Sequence, residues 1–284
     1  MPGREGEFMN RSFPIISRRR ALTSGLSAAA LLASQSPAQS KARALALIGD
    51  RYHNADYIRV ALDKVFVPLG IKVDYTIAYE SISAALLKPY DLFLVLRDGM
   101  IWPQGYLGPD AYPYQPGFEN KSDFPAAKPE MWIKDDQASA IKEFVNSGKG
   151  FYALHNSSHI SVSSKIYREV MGGAYIGHPT LRPFKVRITN HDHPITNSIQ
   201  DFIVNDEQHY VAYDKDPKYL LAESENIDGL DYDGHGTKSV AAWAYDYGKG
   251  RVVFTAVGHT IHALWVQQHM ELQKRAVRWA LKEI

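Results

Sequence analysis

Any chemistry in this chain has to be done without sulfur nucleophiles, because its 284 residues include 11 histidines and no cysteine. That excludes disulfides, thiolate metal sites, iron–sulfur clusters, cysteine nucleophiles and lipoprotein anchoring together. A metal ion would have to be held by His, Asp or Glu. His155 stands directly after the apolar run Phe151–Leu154, and Gly258-His259 directly after Val252–Val257. Two further apolar runs end in polar residues: Ala44–Ile48 leads to Asp50-Arg51-Tyr52-His53, and Asp91–Leu96 to Arg97-Asp98. If these runs are strands of one open sheet, the residues beyond them meet on one rim, where ligands of such sheets bind.

Other groups offer weaker signals. In His155-Asn156-Ser157-Ser158-His159 a helix would put two imidazoles one turn apart, as in helical zinc sites. The glutamate of the metalloprotease motif is missing, however, and Asn156 to Ser158 read as a turn with capping residues. His159 is therefore either a ligand or a residue that orients one. Gly177-His178-Pro179 places an imidazole in a constrained turn, and Asp206-Glu207-Gln208-His209-Tyr210 sets a carboxylate beside one. His191-Asp192-His193-Pro194 reads as turn chemistry, and His235, between glycines, as a solvent-exposed loop residue. There is no Gly-x-Ser-x-Gly elbow, nor a Gly-x-Gly-x-x-Gly turn after the first run, so serine hydrolase and dinucleotide readings lose their usual support.

The elements that must position these residues alternate. The four runs are short and continuously apolar, as in parallel strands buried on both faces, and Val73–Ile77 supplies a further strand. Between them lie amphipathic stretches at Asp56–Leu69, Lys134–Ser147 and Ser163–Met171, and His262–Lys282 closes the chain. The expected fold class is α/β: an open, doubly wound, mostly parallel sheet. Residues 184–245 have shorter, alternating strands such as Lys185–Ile188 and Lys238–Tyr245, which suits an antiparallel extension at one sheet edge. The loop Asp98–Pro129 is rich in proline and carries Trp102, Tyr106, Tyr112, Tyr114, Phe118 and Phe124. Its aromatic content favours a functional loop, or a cover over the sheet edge, rather than a disordered one.

Composition narrows the partners. With 45% hydrophobic and 22% charged residues the chain is of ordinary globular make-up. Its 32 Lys and Arg nearly balance 31 Asp and Glu, and no basic face points to nucleic acid. Residues 1–8 read as a cloning scar before the start-like Met9. Residues 9–40 read as a twin-arginine export signal: Ser17-Arg18-Arg19-Arg20-Ala21-Leu22, the apolar run Ala21–Ala33, then Pro37-Ala38-Gln39-Ser40. That run is too short to span a bilayer, so a periplasmic or secreted protein without a stable membrane anchor is expected, with residues 41–284 as its α/β domain. Homo-oligomerisation stays open.

Several motifs together resemble the ThuA-like, or trehalose-utilisation, family. They are Gly148-Lys149-Gly150-Phe151-Tyr152-Ala153-Leu154-His155, Gly172-Gly173 with Gly177-His178-Pro179, His193-Pro194-Ile195-Thr196, Asp206-Glu207, Ala242-Trp243, and Gly250-Arg251-Val252-Val253-Phe254-Thr255 with Gly258-His259. The resemblance implies a scaffold like that of class I glutamine amidotransferases, a flavodoxin-like sheet. There His155 would take the place of the cysteine nucleophile and His259 that of the catalytic histidine. Without a thiol, glutamine hydrolysis by that route is excluded. The segment Asp206–Tyr210 carries one residue more than the family's acidic-aromatic motif, which leaves both Glu207 and His209 as candidates for its role.

The resulting expectation is an exported, metal-assisted enzyme acting on a small-molecule carbohydrate. The resemblance adds a 3-keto glycoside as substrate, to be eliminated, isomerised or hydrolysed. His155, His178 and His259 would hold a divalent ion, zinc on nitrogen-rich ligation. Glu207, His53 or Asp98 would move the proton. Tyr52, Arg97, Trp102 and His209 would bind the substrate. The alternative is a non-catalytic periplasmic carbohydrate-binding protein on the same scaffold.

Overall fold

The computed structural model describes residues 42–103 and 128–284. The expected signal segment therefore lies outside the described residues, as do Tyr106, Tyr112, Tyr114, Phe118 and Phe124 of the aromatic loop. In chain order the described elements are β1 (Arg43–Ile48), α1 (Ala55–Leu69), β2 (Lys72–Thr76), α2 (Ala84–Leu87), β3 (Leu92–Leu96), β4 (Met100–Ile101) and β5 (Glu130–Met131). They continue with α3 (Asp135–Asn146), β6 (Gly150–Leu154), α4 (Lys165–Met171), β7 (Gly173–Gly177), β8 (Arg182–Ile188), β9 (Phe202–Asp206) and β10 (Tyr210–Tyr213). Last come β11 (Leu220–Asn226), β12 (Lys238–Tyr247), β13 (Gly250–Thr255), α5 (Ile261–Leu264) and α6 (Gln267–Ala280).

Nine strands form one sheet in the order β2-β1-β3-β6-β13-β12-β11-β8-β9. The first five are mutually parallel and the rest antiparallel, as the two kinds of hydrophobic pattern required. This is a flavodoxin-like α/β fold with an antiparallel extension. The central strands β3 and β6 are buried at every residue, so continuous apolar sequence was the signal available to read. By contrast β8 and β9 alternate buried and accessible residues, as a sheet covered on one face does. Two small antiparallel pairs, β7 with β10 and β4 with β5, lie outside this sheet.

Helix boundaries follow from capping. The Asn54 side chain accepts the Asp56 and Tyr57 backbone N–H groups, and Gly70 ends α1 at φ +67°. The closing segment, expected to be one helix, is two. The chain extends at Val266 between α5 and α6, and side chains satisfy the carbonyls that this break exposes. His269 Nδ1 lies 3.1 Å from the Ala263 oxygen, and the Gln273 amide donates to Leu264 O at 3.1 Å. No described helix is long and apolar enough to cross a membrane.

Candidate functional site

The carboxyl ends of β1, β3, β6 and β13 bring their trailing residues to one rim, and the segments after β7 and β9 join them. Gly49, at φ +81°, turns the chain out of β1 where a Cβ would lie 2.6 Å from that of Ala55. The Asp50 carboxylate that follows is 1% exposed and ties the rim together. Its Oδ1 accepts the backbone N–H of Tyr52 at 2.7 Å and of His53 at 3.0 Å. Its Oδ2 accepts the Asp98 N–H and the Asn156 amide, both at 2.8 Å. Burial alone would raise its pKa, but these bonds and His53 outweigh that and hold it at about 2.

An ionised Asp50 can only accept, so the His53 Nδ1 at 2.9 Å carries the proton. Asn156 Nδ2 lies 2.8 Å from the same ring nitrogen, but it is a donor and has Asp50 Oδ2 to bond. His53 Nε2 therefore presents its lone pair, 3.0 Å from His259 Nδ1.

His155 leaves β6 at φ +48°, a left-handed elbow that throws the imidazole out of the strand end. Gly258 makes room, since a Cβ there would come within 2.8 Å of the His155 Cβ. His155 Nδ1 lies 2.7 Å from the Ala256 carbonyl, which only accepts, so Nε2 has the lone pair. That Nε2 is buried without a hydrogen-bond partner and lies 3.5 Å from Glu207 Oε2. Burial depresses the His155 pKa, so the ring is neutral.

Asp206 and Glu207 divide two tasks between neighbouring positions. The buried Asp206 carboxylate accepts the backbone N–H groups of Gly258 (2.7 Å), His259 (3.2 Å) and Thr260 (3.2 Å), which fixes the turn after β13. Glu207 points the other way, with Oε2 3.0 Å from His259 Nδ1, 3.5 Å from His178 Nε2 and 3.6 Å from His209 Nε2. Burial works against its charge, and His155, His209 and His259 lower its pKa only where a ring nitrogen carries a proton toward it. The His259 ring loses solvation too, but Glu207 raises its pKa overall. His209, wholly buried and beside His155, is held well below the ordinary histidine value. His178 Nδ1 lies 2.8 Å from the Pro179 carbonyl, so its Nε2 also turns a lone pair toward Glu207.

His53, Asn156, His178, Glu207, His209 and His259 line a cavity of about 370 Å³ that also takes in Tyr52, Asp98, His159 and Tyr175. Asp98 Oδ1 lies 2.9 Å from His159 Nδ1 and orients that ring. The donor atoms fall into two sets, each within 4.8 Å of one another: His53, His155, Glu207 and His259, and separately His178, Glu207 and His209.

Of the expected site residues, His53, His155, Glu207 and His259 come together, whereas His178 belongs with His209 on the other side of Glu207. His53 and Glu207 sit among the candidate ligands rather than apart as proton carriers. Asp98 is engaged by His159. Arg97 and Trp102 do not line this cavity. Arg97 donates to Gly49 O, packs on the Tyr79 ring at 4.4 Å and lines a neighbouring hollow of about 270 Å³ with Trp102. Successive residues of an extended chain face opposite ways, so Arg97 and Asp98 diverge. The His155–Val162 segment is a 3₁₀ helix, which rules out the one-turn stacking of His155 and His159 as a metalloprotease pair. His235 is exposed, as expected. Sequence reasoning missed the orienting role of Asp50 and Asn156; the three-residue spacing of Asp50 and His53 was the signal for the first.

A family model described as ThuA, trehalose utilisation, matches residues 123–280. Among solved structures, a ThuA-like protein from Parabacteroides merdae superposes with a TM-score of 0.61 at 14% identity, over 85% of this chain and 90% of its own. A ThuA-like protein from Bacteroides uniformis gives 0.59 at 14% identity, over 85% and 93%. A cold-adapted β-galactosidase from Rahnella sp. R3 gives 0.50 at 16% identity, over 84% of this chain but 31% of its own. At such identities these likenesses are ones of fold. No curated protein sequence matches.

Proposed function

The chain belongs to the ThuA, or trehalose-utilisation, family, and from that premise we propose that it is an exported, metal-assisted enzyme acting on a carbohydrate, with 3-keto glycosides as the substrate class. The observation that carries the metal reading is the buried His155 Nε2, a lone pair aimed at the carboxylate of Glu207 with no proton between them. Such an arrangement is repulsive unless a cation lies there. The surroundings fit one. His53 is tied through Nδ1 to a carboxylate and His155 to a backbone carbonyl, the partners that fix the tautomer of metal-binding imidazoles. The nitrogen-rich donor set favours zinc.

A divalent ion held by His53, His155, Glu207 and His259 would supply a Lewis acid for a carbonyl or hydroxyl oxygen of the sugar. The chain's own groups do the rest. His159, oriented by Asp98, keeps Nε2 as the ring nitrogen able to exchange a proton with the substrate, without being a ligand itself. Tyr52 and Tyr175, in the cavity wall, offer ring surface to the sugar's C–H faces. Residues 9–40 would direct the protein out of the cytoplasm.

The test is incubation of untagged, zinc-supplemented protein with a 3-keto disaccharide and with its unoxidised parent. Turnover of the keto sugar is expected, abolished in Glu207→Gln. In His159→Gln turnover should fall by about 100-fold or more while zinc content stays at the wild-type level, the usual cost of losing a general acid–base group. Tight binding of both sugars without turnover would replace the enzyme by a carbohydrate-binding protein.

A further inference from the structure

We infer that the cavity binds two divalent cations, with Glu207 bridging them, the second ion being held by His178 and His209. This rests on the metal reading above and extends it to residues outside the first ligand set.

The geometry separates the two positions. His178 and His209 share only Glu207 with the first set. The His209 ring stacks on that of His155 with centroids 3.8 Å apart and an angle of 27°. Their Nε2 atoms both face Glu207 Oε2, at 3.5 Å from His155 and 3.6 Å from His209. Two near-parallel imidazoles offset by a ring thickness bring their Nε2 atoms to two points separated by about that offset. Ions in two-metal sites lie about 3.5–4 Å apart, so the stack matches the spacing that a carboxylate bridge requires.

Charge makes the same demand. His178 Nδ1 is occupied by the Pro179 carbonyl, so its Nε2 turns a lone pair to Glu207 at 3.5 Å. With His155 that makes two imidazole lone pairs facing one carboxylate from different sides, and an ion in the first set neutralises only its own side. His209 is 2% exposed and cannot swing out to water, while His178 is 31% exposed at the cavity. The second ion would thus have three protein ligands and open positions toward the cavity. Its substrate class is a sugar fragment with two adjacent oxygens, a hydroxyl beside a carbonyl or a vicinal diol, that can chelate it.

The test counts ions on the full-length, untagged protein. Chelator-stripped protein is titrated with Zn²⁺, bound metal is counted by mass spectrometry after desalting, and Co²⁺ serves as a spectroscopic probe of each site. Two equivalents of Zn²⁺ per chain are expected for the wild type. One is expected for His178→Ala and for His209→Asn, with the Co²⁺ spectrum of the remaining site unchanged. His53→Ala should lose the other equivalent. A wild type that saturates at one equivalent, or a His178→Ala variant that still binds two, overturns the second site and leaves the first standing. No bound zinc in the wild type overturns both. Far-ultraviolet circular dichroism of each variant shows whether a lost equivalent reflects a lost ligand, and the partly exposed His178 gives a substitution with little packing to lose.

Discussion

Replacing Asp50 by asparagine tests whether the rim is built as described, because the two residues have the same shape and differ only in what they can accept. Both carboxylate oxygens are in use. Oδ1 accepts two backbone N–H groups, and Oδ2 accepts one backbone N–H and the Asn156 amide, all between 2.7 and 3.0 Å. Whichever way the introduced side-chain amide turns, its NH₂ group faces two of these donors as well as the His53 Nδ1–H. Each donor left unsatisfied costs about 1–3 kcal/mol, so Asp50→Asn should lose roughly 2–6 kcal/mol of stability. The acidity of Asp50, which these same bonds produce, leads to the same range. A carboxyl held at about 2 instead of 3.8 prefers its charged form in the fold by about 2.5 kcal/mol.

The measurement is urea unfolding of both proteins at pH 7 in chelator, so that no ion contributes. A loss under about 1 kcal/mol would mean that Asp50 is not the acceptor that ties these donors together, and the argument for the His53 tautomer would fall with it. If the fold survives, zinc affinity at the first site should also drop by about 10–100-fold, as for other lost carboxylate–histidine partners.

Three further outcomes are expected. Gly258→Ala puts a methyl group 2.8 Å from the His155 Cβ, and His155 cannot retreat because it is bonded to Ala256 and stacked on His209. Calorimetry should show about 1–3 kcal/mol of destabilisation, as for other overpacked sites, together with reduced zinc content. Burial lowers the pKa of His269 from 6.5 to about 4, so below pH 6.5 the unfolded chain takes up a proton that the fold refuses. Stability present above pH 6.5 should therefore be lost as pH falls toward 4, by about 3 kcal/mol at most, and this slope should be absent from His269→Gln in parallel denaturant titrations. Finally, Zn²⁺ at about 100 times its dissociation constant should stabilise the protein by roughly 2.7 kcal/mol, or about 5–10 °C in melting temperature, and Glu207→Gln should lose most of this gain.

The strands of the parallel half were legible because burial on both faces leaves only one kind of sequence, as in the run Leu92–Leu96. Their order was not: it depends on which crossover helix packs on which face. The rim histidines were legible for the same reason as the strands, since a polar residue directly after a buried run has to emerge at the sheet's end. Grouping them was harder. His155, His178 and His259 were equivalent in sequence, and only the antiparallel pair β7 with β10 shows that His178 approaches with His209, at the far side of Glu207. The closing segment reads as one continuous helix because its apolar spacing never falters. What interrupts it at Val266 is a pair of side chains, His269 and Gln273, able to satisfy the carbonyls that the break exposes.

The elbow at His155 shows how one backbone can serve unrelated chemistry. A residue at φ +48° stores strain of about 1–3 kcal/mol, which the surroundings must offset. Here they do so with a short bond to Ala256 and a glycine at position 258. The elbow projects whatever side chain it carries into the space beyond the sheet, independent of that side chain's reactivity. A thiol there would need a neighbouring base to become a nucleophile. An imidazole pinned through Nδ1 has no proton on Nε2, and burial lowers its pKa, which works against acquiring one. Such a group is a poor acid but a ready ligand. The same burial that makes His155 a poor acid thus suits it to hold a cation, whereas the ring with a carboxylate partner and access to the cavity is His159.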